Sequence, residues 1–133
     1  MAKKEKADPG FEVVERWMVD MPSCLIEYQG MKIRKDNSLT VNEERFSELQ
    51  TRAETFALLY TLLFPDEQQL VSLHFLKGRT LDEIAAEQGV SEITVRKLRN
   101  LVVCTAKAVF LNIPQFYDEV LQLKQEKKAA KVS

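Results

Sequence analysis

The stretch SEITVRKLRN, in the C-terminal half of the chain, carries hydrogen-bonding groups of the kinds that read the edges of DNA bases. Arg96 and Lys97 can donate to guanine, Asn100 can pair with adenine, and the carboxylate of Glu92 can accept from cytosine. The candidate DNA contacts are the polar or outward residues of this stretch and two basic residues ahead of it: Lys77, Arg79, Ser91, Glu92, Ile93, Thr94, Arg96, Lys97, Arg99 and Asn100.

Positive charge is concentrated near this stretch, although the whole chain has a formal net charge of -1 and a pI near 5.9. Residues 96–107 include no acidic side chain, and Lys77 and Arg79 precede the stretch, where they can reach phosphate oxygens and fix its register. A solvated helix face is the plainer explanation of such a cluster. Because the basic set is small, one unit should bind DNA weakly, which favours a dimer or a larger complex.

Two short amphipathic helices must position these side chains, and the sequence marks where they meet. A capping box, Thr80 with Glu83, predicts the start of the first helix, and the small Ala85 lets a second helix approach it. Gly89 suits the left-handed conformation that ends a helix, and Val90 is expected to enter the core directly after the turn.

The second helix is predicted to begin after Ser91, which can cap it. Val95, Leu98 and Val102 recur at helical spacing and predict one buried side. The other side of this helix then carries the residues that face outward or toward its leading end: Ser91, Glu92, Ile93, Arg96, Lys97 and Asn100. There Ile93 can touch the methyl group of thymine in a major groove about 12 Å wide. Two short helices joined by a glycine turn predict a helix-turn-helix unit, and an ordinary helical hairpin is the alternative.

The other segments predict helices and no convincing strand, so the expected fold class is all-α, with N-terminal helices and a long helix leading into the helix-turn-helix domain. Asp8 and Pro9 start a helix that Pro22 is expected to interrupt, leaving a shorter second helix. Thr40 and Glu43 form another capping box, which predicts a long helix running to about residue 64.

A further helix is expected to be capped by Asp66 and to end at Gly78, and a last one to start at Pro114 and fray in a lysine-rich tail. The chain thus divides into three predicted parts: an N-terminal helical region for assembly (1–64), the helix-turn-helix domain (65–112), and a C-terminal helix with a basic tail (113–133).

An apolar stripe along the long helix leaves two interpretations open. It follows alternating three- and four-residue steps through Phe46, Leu49, Ala53, Phe56, Tyr60 and Leu63. The stripe is either part of an intramolecular core or the seam of a homodimer, and both can hold. We favour the core, although Leu58, Leu59 and Leu62 on further sides of the same helix are a point in support of the seam.

Composition and motifs argue against several classes of protein. No apolar run approaches the ~20 residues that span a bilayer, and the N-terminus lacks the apolar middle of a signal peptide, so we expect a cytoplasmic protein with no membrane partner. Cys24 and Cys104 are expected to be small buried side chains. His74, the only histidine, is expected to be structural. Without a phosphate loop, an activated nucleophile or a metal cluster, we expect no enzyme, cofactor or metal.

The segment LVSLHFLKGRTLDEIAAEQGVSEITVRKLRNLV resembles region 4 of bacterial sigma factors and the regulators that share its fold. In that family the second helix of the motif contacts promoter DNA in the major groove. The resemblance implies the same role for the matching positions here: Glu92, Ile93, Thr94, Arg96 and Lys97. Glu92 and Ile93 stand where the housekeeping family carries Arg and Glu, which argues against a standard -35 element as the target.

The order of parts is similar to small phage late-gene activators of the RinA and ArpU type. The leading hypothesis is therefore a sequence-specific transcriptional regulator, phage or prophage encoded, that binds double-stranded DNA as a homodimer and has RNA polymerase as a further partner. Two other hypotheses stay open. One is a small terminase subunit that acts in phage DNA packaging, and the other is a sigma-like module that binds RNA polymerase without reading DNA.

Overall fold

The computed structural model describes residues 8–132, and every regular element in that part of the chain is helical. The helices are α1 (Pro9–Asp36), α2 (Glu43–Leu62), α3 (Pro65–Leu70), α4 (Leu81–Gln88), α5 (Glu92–Phe110) and α6 (Pro114–Val132). A π-helical segment, Val71–Leu76, directly follows α3. The all-α prediction is confirmed.

The first helix, α1, is continuous through Pro22, so the predicted break there is wrong. Asp8 caps its start as predicted, because its side chain accepts from the N–H of Gly10 at 3.1 Å. An interior proline removes one backbone hydrogen bond and costs about 3 kcal/mol, but it bends a helix without having to end it. Met21 and Cys24 are buried on either side of Pro22, and their burial offsets that cost.

The second helix, α2, is capped by Asn42 and not by Thr40, so the predicted capping box is wrong. The side-chain oxygen of Asn42 accepts from the N–H of Arg45 at 3.0 Å. Asparagine caps a helix at least as well as threonine. Glu43 therefore occupies the first helical position, from which its carboxylate pairs with Lys35 at 3.2 Å.

The apolar stripe of α2 faces the inside of the molecule. Leu49, Phe56 and Leu63 are buried, and the other three members of the stripe are half-buried. The core interpretation is therefore confirmed for this stripe. Leu58 and Leu62, on a different side of α2, are each more than half exposed.

One hydrophobic core joins all six helices around a nearly inaccessible Trp17. The centroid of its ring system lies 5.7 Å from that of Phe110 and 5.2 Å from that of Phe116. Its indole N–H donates to Glu119 at 3.0 Å, and the guanidinium of Arg52 lies 3.9 Å from the ring centroid. These contacts fix α1 against α5 and α6, and so fix the position of the predicted DNA-reading helix.

The third helix, α3, begins at Pro65, one residue before the predicted cap at Asp66. The N–H of Phe64, the residue before its first turn, donates to the carboxylate of the buried Glu67 at 2.9 Å. The carboxylate of Asp66 accepts instead from the N–H of Glu67, also at 2.9 Å. Gly78 follows the π-helical segment with a φ of +73°, in agreement with the predicted end of this helix.

Two expectations about the second half of the chain are also corrected. The lysine-rich tail is helical to Val132 within the described residues, and Lys127 pairs with Glu12 of α1 at 2.5 Å. Cys24 is buried as expected, but Cys104 is exposed, and both thiols are free. None of the helices within residues 8–132 has both the length and the apolar character needed to cross a membrane.

Candidate nucleic-acid interface

The turn between α4 and α5 has the geometry that the sequence predicts. The hydroxyl of Thr80 accepts from the N–H of Glu83, and the carboxylate of Glu83 accepts from the N–H of Thr80, both at 3.1 Å. Gly89 then adopts the left-handed conformation, with φ 69° and ψ 32°. The N–H of Val90 donates to the carbonyl of Ala85 at 3.0 Å, which closes the end of α4.

The inward sides of α4 and α5 are buried as predicted. Ile84, Ala85, Val95 and Val102 are each at most 5% exposed, and Leu98 is half-buried against the same core. The prediction that Val90 enters the core is wrong, since 43% of it is exposed. Ile84 and Val95 already occupy the core on the two sides of the turn, so the side chain of Val90 stays at the surface.

The N-terminal end of α5 carries two hydroxyl groups, and one of them accepts a hydrogen bond from a free backbone N–H of the first turn. Ser91 caps the helix by accepting from the N–H of Thr94 at 3.2 Å, and the hydroxyl oxygens of the two residues lie 2.9 Å apart. Ile93, 65% exposed, and Lys97 both lie on the solvent side of the first turns. No ion pair of Lys97 occurs within residues 8–132. We call Ile93, Arg96 and Lys97 the reader surface.

Arg96 belongs to this exposed surface but is paired with Glu92, one turn earlier in α5. Asp82, at the start of α4, approaches the same glutamate. The hydrogen bond to the Glu92 carboxylate, and repulsion from it, raise the pKa of Asp82. Hydrogen bonds from Asp82 and Arg96 lower the pKa of Glu92. Two carboxylates therefore stand beside the reader surface, a feature that the sequence pattern did not indicate.

Arg99 lies apart from the exposed basic residues, with only 16% of its side chain accessible. Its Nε donates to Nε2 of His74 at 3.0 Å, and its Nη2 pairs with the carboxylate of Glu15 at 2.8 Å. The guanidinium carbon also lies 5.3 Å from the ring centroid of Phe75. Arg99 thus connects α5 to α1 and to the π-helical segment.

His74 is held in its neutral form by two hydrogen bonds. Its Nδ1 lies 2.8 Å from the carbonyl oxygen of Arg79, so Nδ1 carries the proton and Nε2 accepts from Arg99. Burial lowers the pKa of His74 and the charge of Arg99 lowers it further, against the opposing effect of the Arg79 carbonyl. This arrangement agrees with the expected structural role.

The remaining candidate contacts are divided between solvent and α1. Lys77 is exposed just after the π-helical segment, whereas the guanidinium of Arg79 pairs with Glu87 at 2.5 Å. Asn100 is half-buried and lines a depression of about 390 Å³ that it shares with Phe11 and other residues of α1, the π-helical segment, α4 and α5. The first helix, α1, therefore lies beside the side chain of Asn100 and limits the directions from which DNA can reach it.

Two residues of α1, Phe11 and Glu15, border the site although the sequence offers no local sign of it. They are far from α5 along the chain, and their proximity arises only when α1 packs on the core. A carboxylate one helical turn after a buried aromatic residue is a common surface pattern. The partner of Glu15 was therefore not predictable without the tertiary structure.

Comparison with known proteins places the motif in a described family. Residues 62–100, from the end of α2 to the middle of α5, match the family model of Sigma-70, region 4. No curated protein and no solved structure matches the chain significantly. The match confirms the resemblance of this segment to the sigma region 4 helix-turn-helix, and it associates the segment with DNA binding and transcription in a regulatory rather than catalytic family. The similarity of layout to phage activators stays a prediction.

Proposed function

We propose that this protein is a sequence-specific transcriptional regulator, phage or prophage encoded, that inserts the N-terminal half of α5 into the major groove of double-stranded DNA. The observation that carries the proposal is the exposed reader surface of Ile93, Arg96 and Lys97, presented directly after the turn at Gly89. Val95 is buried on the opposite side of the same turns, so the helix is held with that surface outward.

The reader surface offers two kinds of base contact, a cationic donor and an apolar side chain. Lys97 can donate to the acceptors of guanine, and Ile93 can contact the methyl group of thymine. Arg96 can join them once its pairing with Glu92 is exchanged for a contact with DNA. The hydroxyls of Ser91 and Thr94 lie at the leading end of α5, where they and the helix amides can bind a phosphate.

Residues around this surface have supporting roles in the proposal. Lys77 and Arg79 contact phosphates ahead of α4 and fix the register of the reader helix. Asn100 reaches a base edge only from the rim of the depression next to α1. We assign Arg99 to the contact between α5 and α1, because its guanidinium is engaged by Glu15 and His74.

The small number of exposed cations implies weak binding by one copy. Each phosphate neutralised contributes about 0.9 to the slope of log affinity against log salt, so a few contacts give a shallow dependence. The protein should therefore bind DNA as a homodimer. Its N-terminal helices are proposed to contact RNA polymerase, and its proposed location is the cytoplasm of a bacterial host.

Selection from a library of random double-stranded DNA at low salt tests sequence reading directly. The native chain should enrich a defined sequence, and Arg96→Ala with Lys97→Ala should lose about 1 to 3 kcal/mol of binding free energy for each base contact removed. Lys124→Ala with Lys128→Ala removes the same charge from exposed positions of α6 and serves as the control. This control should keep the selected preference.

Other outcomes distinguish the two rival functions. Failure to enrich any sequence, with unchanged binding to RNA polymerase in the Arg96 and Lys97 double variant, would identify a polymerase-binding module. A large ring of subunits in sedimentation, instead of a dimer, would favour DNA packaging by a small terminase subunit.

A further inference from the structure

The segment that precedes α1, residues 1–7, is rich in positive charge. It carries Lys3, Lys4 and Lys6 against one glutamate, whereas the whole chain has a formal net charge of -1, so the remainder of the chain is net acidic. These seven residues lie outside the described part of the chain, and Met1 is the only large apolar side chain among them. Such a composition suits contact with a polyanion better than burial in a core.

The structure fixes the point from which this segment leaves the folded chain. Asp8 caps α1, and its carboxylate also pairs with Lys107 of α5. The backbone of Gly10 lies so close to the same lysine that a Cβ added there would be 2.9 Å from Cε of Lys107. The next residue, Phe11, lines the depression that also contains Asn100. The segment therefore leaves the fold against α5, the helix that carries the reader surface.

The carboxylates closest to this exit point already have partners within the fold. Three acidic residues at the start of α1 each pair with a cation of another helix: Asp8 with Lys107, Glu12 with Lys127, and Glu15 with Arg99. Because each of these carboxylates has its cation, it offers little further attraction to the lysines of the preceding segment. Those lysines are left for a partner outside the chain.

We propose that residues 1–7 form an arm that binds phosphates of the same DNA duplex, beside the groove and toward the C-terminal half of α5. This inference rests on the proposed function and adds a contact outside the groove. A helix whose first half enters a groove about 8.5 Å deep must pass the phosphate backbone with its second half. Lys107, which holds the start of the arm, belongs to that second half of α5.

The reach of the arm is sufficient for this contact. Lys97 and Lys107 are ten residues apart in α5, which at ~1.5 Å per residue places them ~15 Å apart along the helix. Lys3 is five residues from Asp8 and, at ~3.3 Å per extended residue, can lie up to ~17 Å from it. The lysines of the arm can therefore meet phosphates between the edge of the groove and the reader surface.

Salt titrations of the full chain, on the selected duplex and on a random duplex, test the arm. Lys3→Gln, Lys4→Gln and Lys6→Gln together should weaken binding to both duplexes by the same factor, because phosphate contacts carry no sequence information. At about 0.9 for each phosphate, three lost contacts lower the slope of log affinity against log salt by about 2.7. Between about 50 and 200 mM salt, the native affinity should then fall about 40-fold more than that of the variant.

The matched control removes three cations from exposed positions of the described helices: Lys32→Gln, Lys124→Gln and Lys128→Gln. It changes the net charge equally, so its slope should stay close to the native value if the arm makes local contacts. A control that lowers the slope as much as the arm variant does would overturn the proposal.

Failure of the arm and failure of the proposed function give different results. An unchanged slope for the arm variant, on a duplex that selection has enriched, would overturn the arm and leave sequence reading intact. A lowered slope without any enriched sequence would support the arm and overturn sequence reading.

Directed cleavage locates the arm on the DNA. The exposed Cys104 is replaced by Ser, and an iron chelate that cleaves nearby DNA is attached at Lys4→Cys. Cleavage should fall at an edge of the protected site, next to the groove that α5 occupies. The same chelate at Lys32→Cys should not cleave there, since Lys32 lies ~25 Å along α1 from Glu15, the residue that pairs with α5. Protection of the site without cleavage from position 4 would overturn the arm.

Discussion

Arg99 donates a hydrogen bond from its Nε to Nε2 of His74 over 3.0 Å, and this contact is possible only while the imidazole is neutral. The other ring nitrogen, Nδ1, already donates to the carbonyl of Arg79. A proton added at Nε2 would face the guanidinium and remove the acceptor. The packing of α5 against the π-helical segment therefore depends on the protonation state of one side chain.

The first prediction follows from the lowered pKa of His74. Above the ordinary value of about 6.5, His74 is neutral in both the folded and the unfolded chain, so its contribution to stability is complete. As the pH falls below that value, the unfolded chain takes up a proton first and unfolding becomes more favourable. The loss is at most about 1.4 kcal/mol per pH unit for a single proton. Urea unfolding between pH 7.5 and 5.5 measures it.

The control for this pH dependence is His74→Gln, which keeps a polar side chain but does not titrate in this range. The variant should be less stable at pH 7.5 and should show a flatter dependence of its unfolding free energy between pH 7.5 and 5.5. Equal slopes for the native chain and the variant would mean that another group is responsible.

The second prediction separates stability from DNA binding. Arg99→Gln leaves Glu15 and Nε2 of His74 without their partner, so it should lower the free energy of unfolding by about 1 to 3 kcal/mol. Lys97→Gln changes an exposed residue and should alter stability by less than about 0.5 kcal/mol. Its proposed role is instead in binding, so it should weaken DNA affinity.

Urea unfolding and electrophoretic shift, measured on both variants, check this separation. If the Arg99→Gln protein keeps its stability but binds DNA less tightly, Arg99 contacts DNA and its proposed structural role is wrong. Loss of stability in Lys97→Gln would show that its side chain has a structural role.

The third prediction concerns two glycines with opposite backbone requirements. Gly89 has a φ of +69° and no neighbouring atom within 4 Å of an added Cβ, so Gly89→Ala should destabilise the fold by about 1 kcal/mol through backbone strain alone. Gly30 lies inside α1 with equally open surroundings. Gly30→Ala should therefore stabilise the fold by about 0.5 to 1 kcal/mol.

Chemical denaturation at low protein concentration compares the two alanine variants without interference from association. The signs of the two changes matter more than their sizes. A neutral result at Gly89 would mean that the turn relaxes to a right-handed conformation, and α5 would then no longer hold the geometry proposed for the groove.

The local parts of the fold were predictable because short-range chemistry determines them. Thr80 with Glu83, the left-handed Gly89 and the Ser91 cap all depend on residues within one or two turns of each other. The prediction of a helix start failed where several nearby residues can act as the cap. At the start of α2, Asn42 outcompetes the threonine two residues earlier, and both residues are good caps on sequence grounds.

Long-range packing accounts for the parts that the sequence did not predict. Pro22 stays inside α1 because tertiary burial on either side offsets a local penalty. The position of Arg99 in the motif is compatible with a DNA contact, but in the folded chain its guanidinium pairs with Glu15 of α1. Neither outcome has a signal within a few residues of the site, since both depend on where α1 lies on the core.

The fourth prediction tests whether the acidic pair beside the reader surface restrains DNA binding. Glu92 holds Arg96, and Asp82 lies close enough that the two carboxylates shift each other's pKa, so negative charge stands next to the residues proposed to meet DNA. Glu92→Gln removes one charge and releases the guanidinium. Affinity for random DNA should rise, and the slope of log affinity against log salt should steepen by about 0.9 if Arg96 gains one phosphate.

Titrations of labelled duplexes at several salt concentrations give both the affinity and the slope. Glu126→Gln removes an equal charge from an exposed position of α6 and should leave the slope unchanged. Adding Arg96→Gln to the Glu92→Gln variant should return the slope to its native value, because the released guanidinium is then absent. If Glu92→Gln instead weakens binding to the selected site alone, the carboxylate itself reads a cytosine, and the restraint by the acidic pair would be disproved.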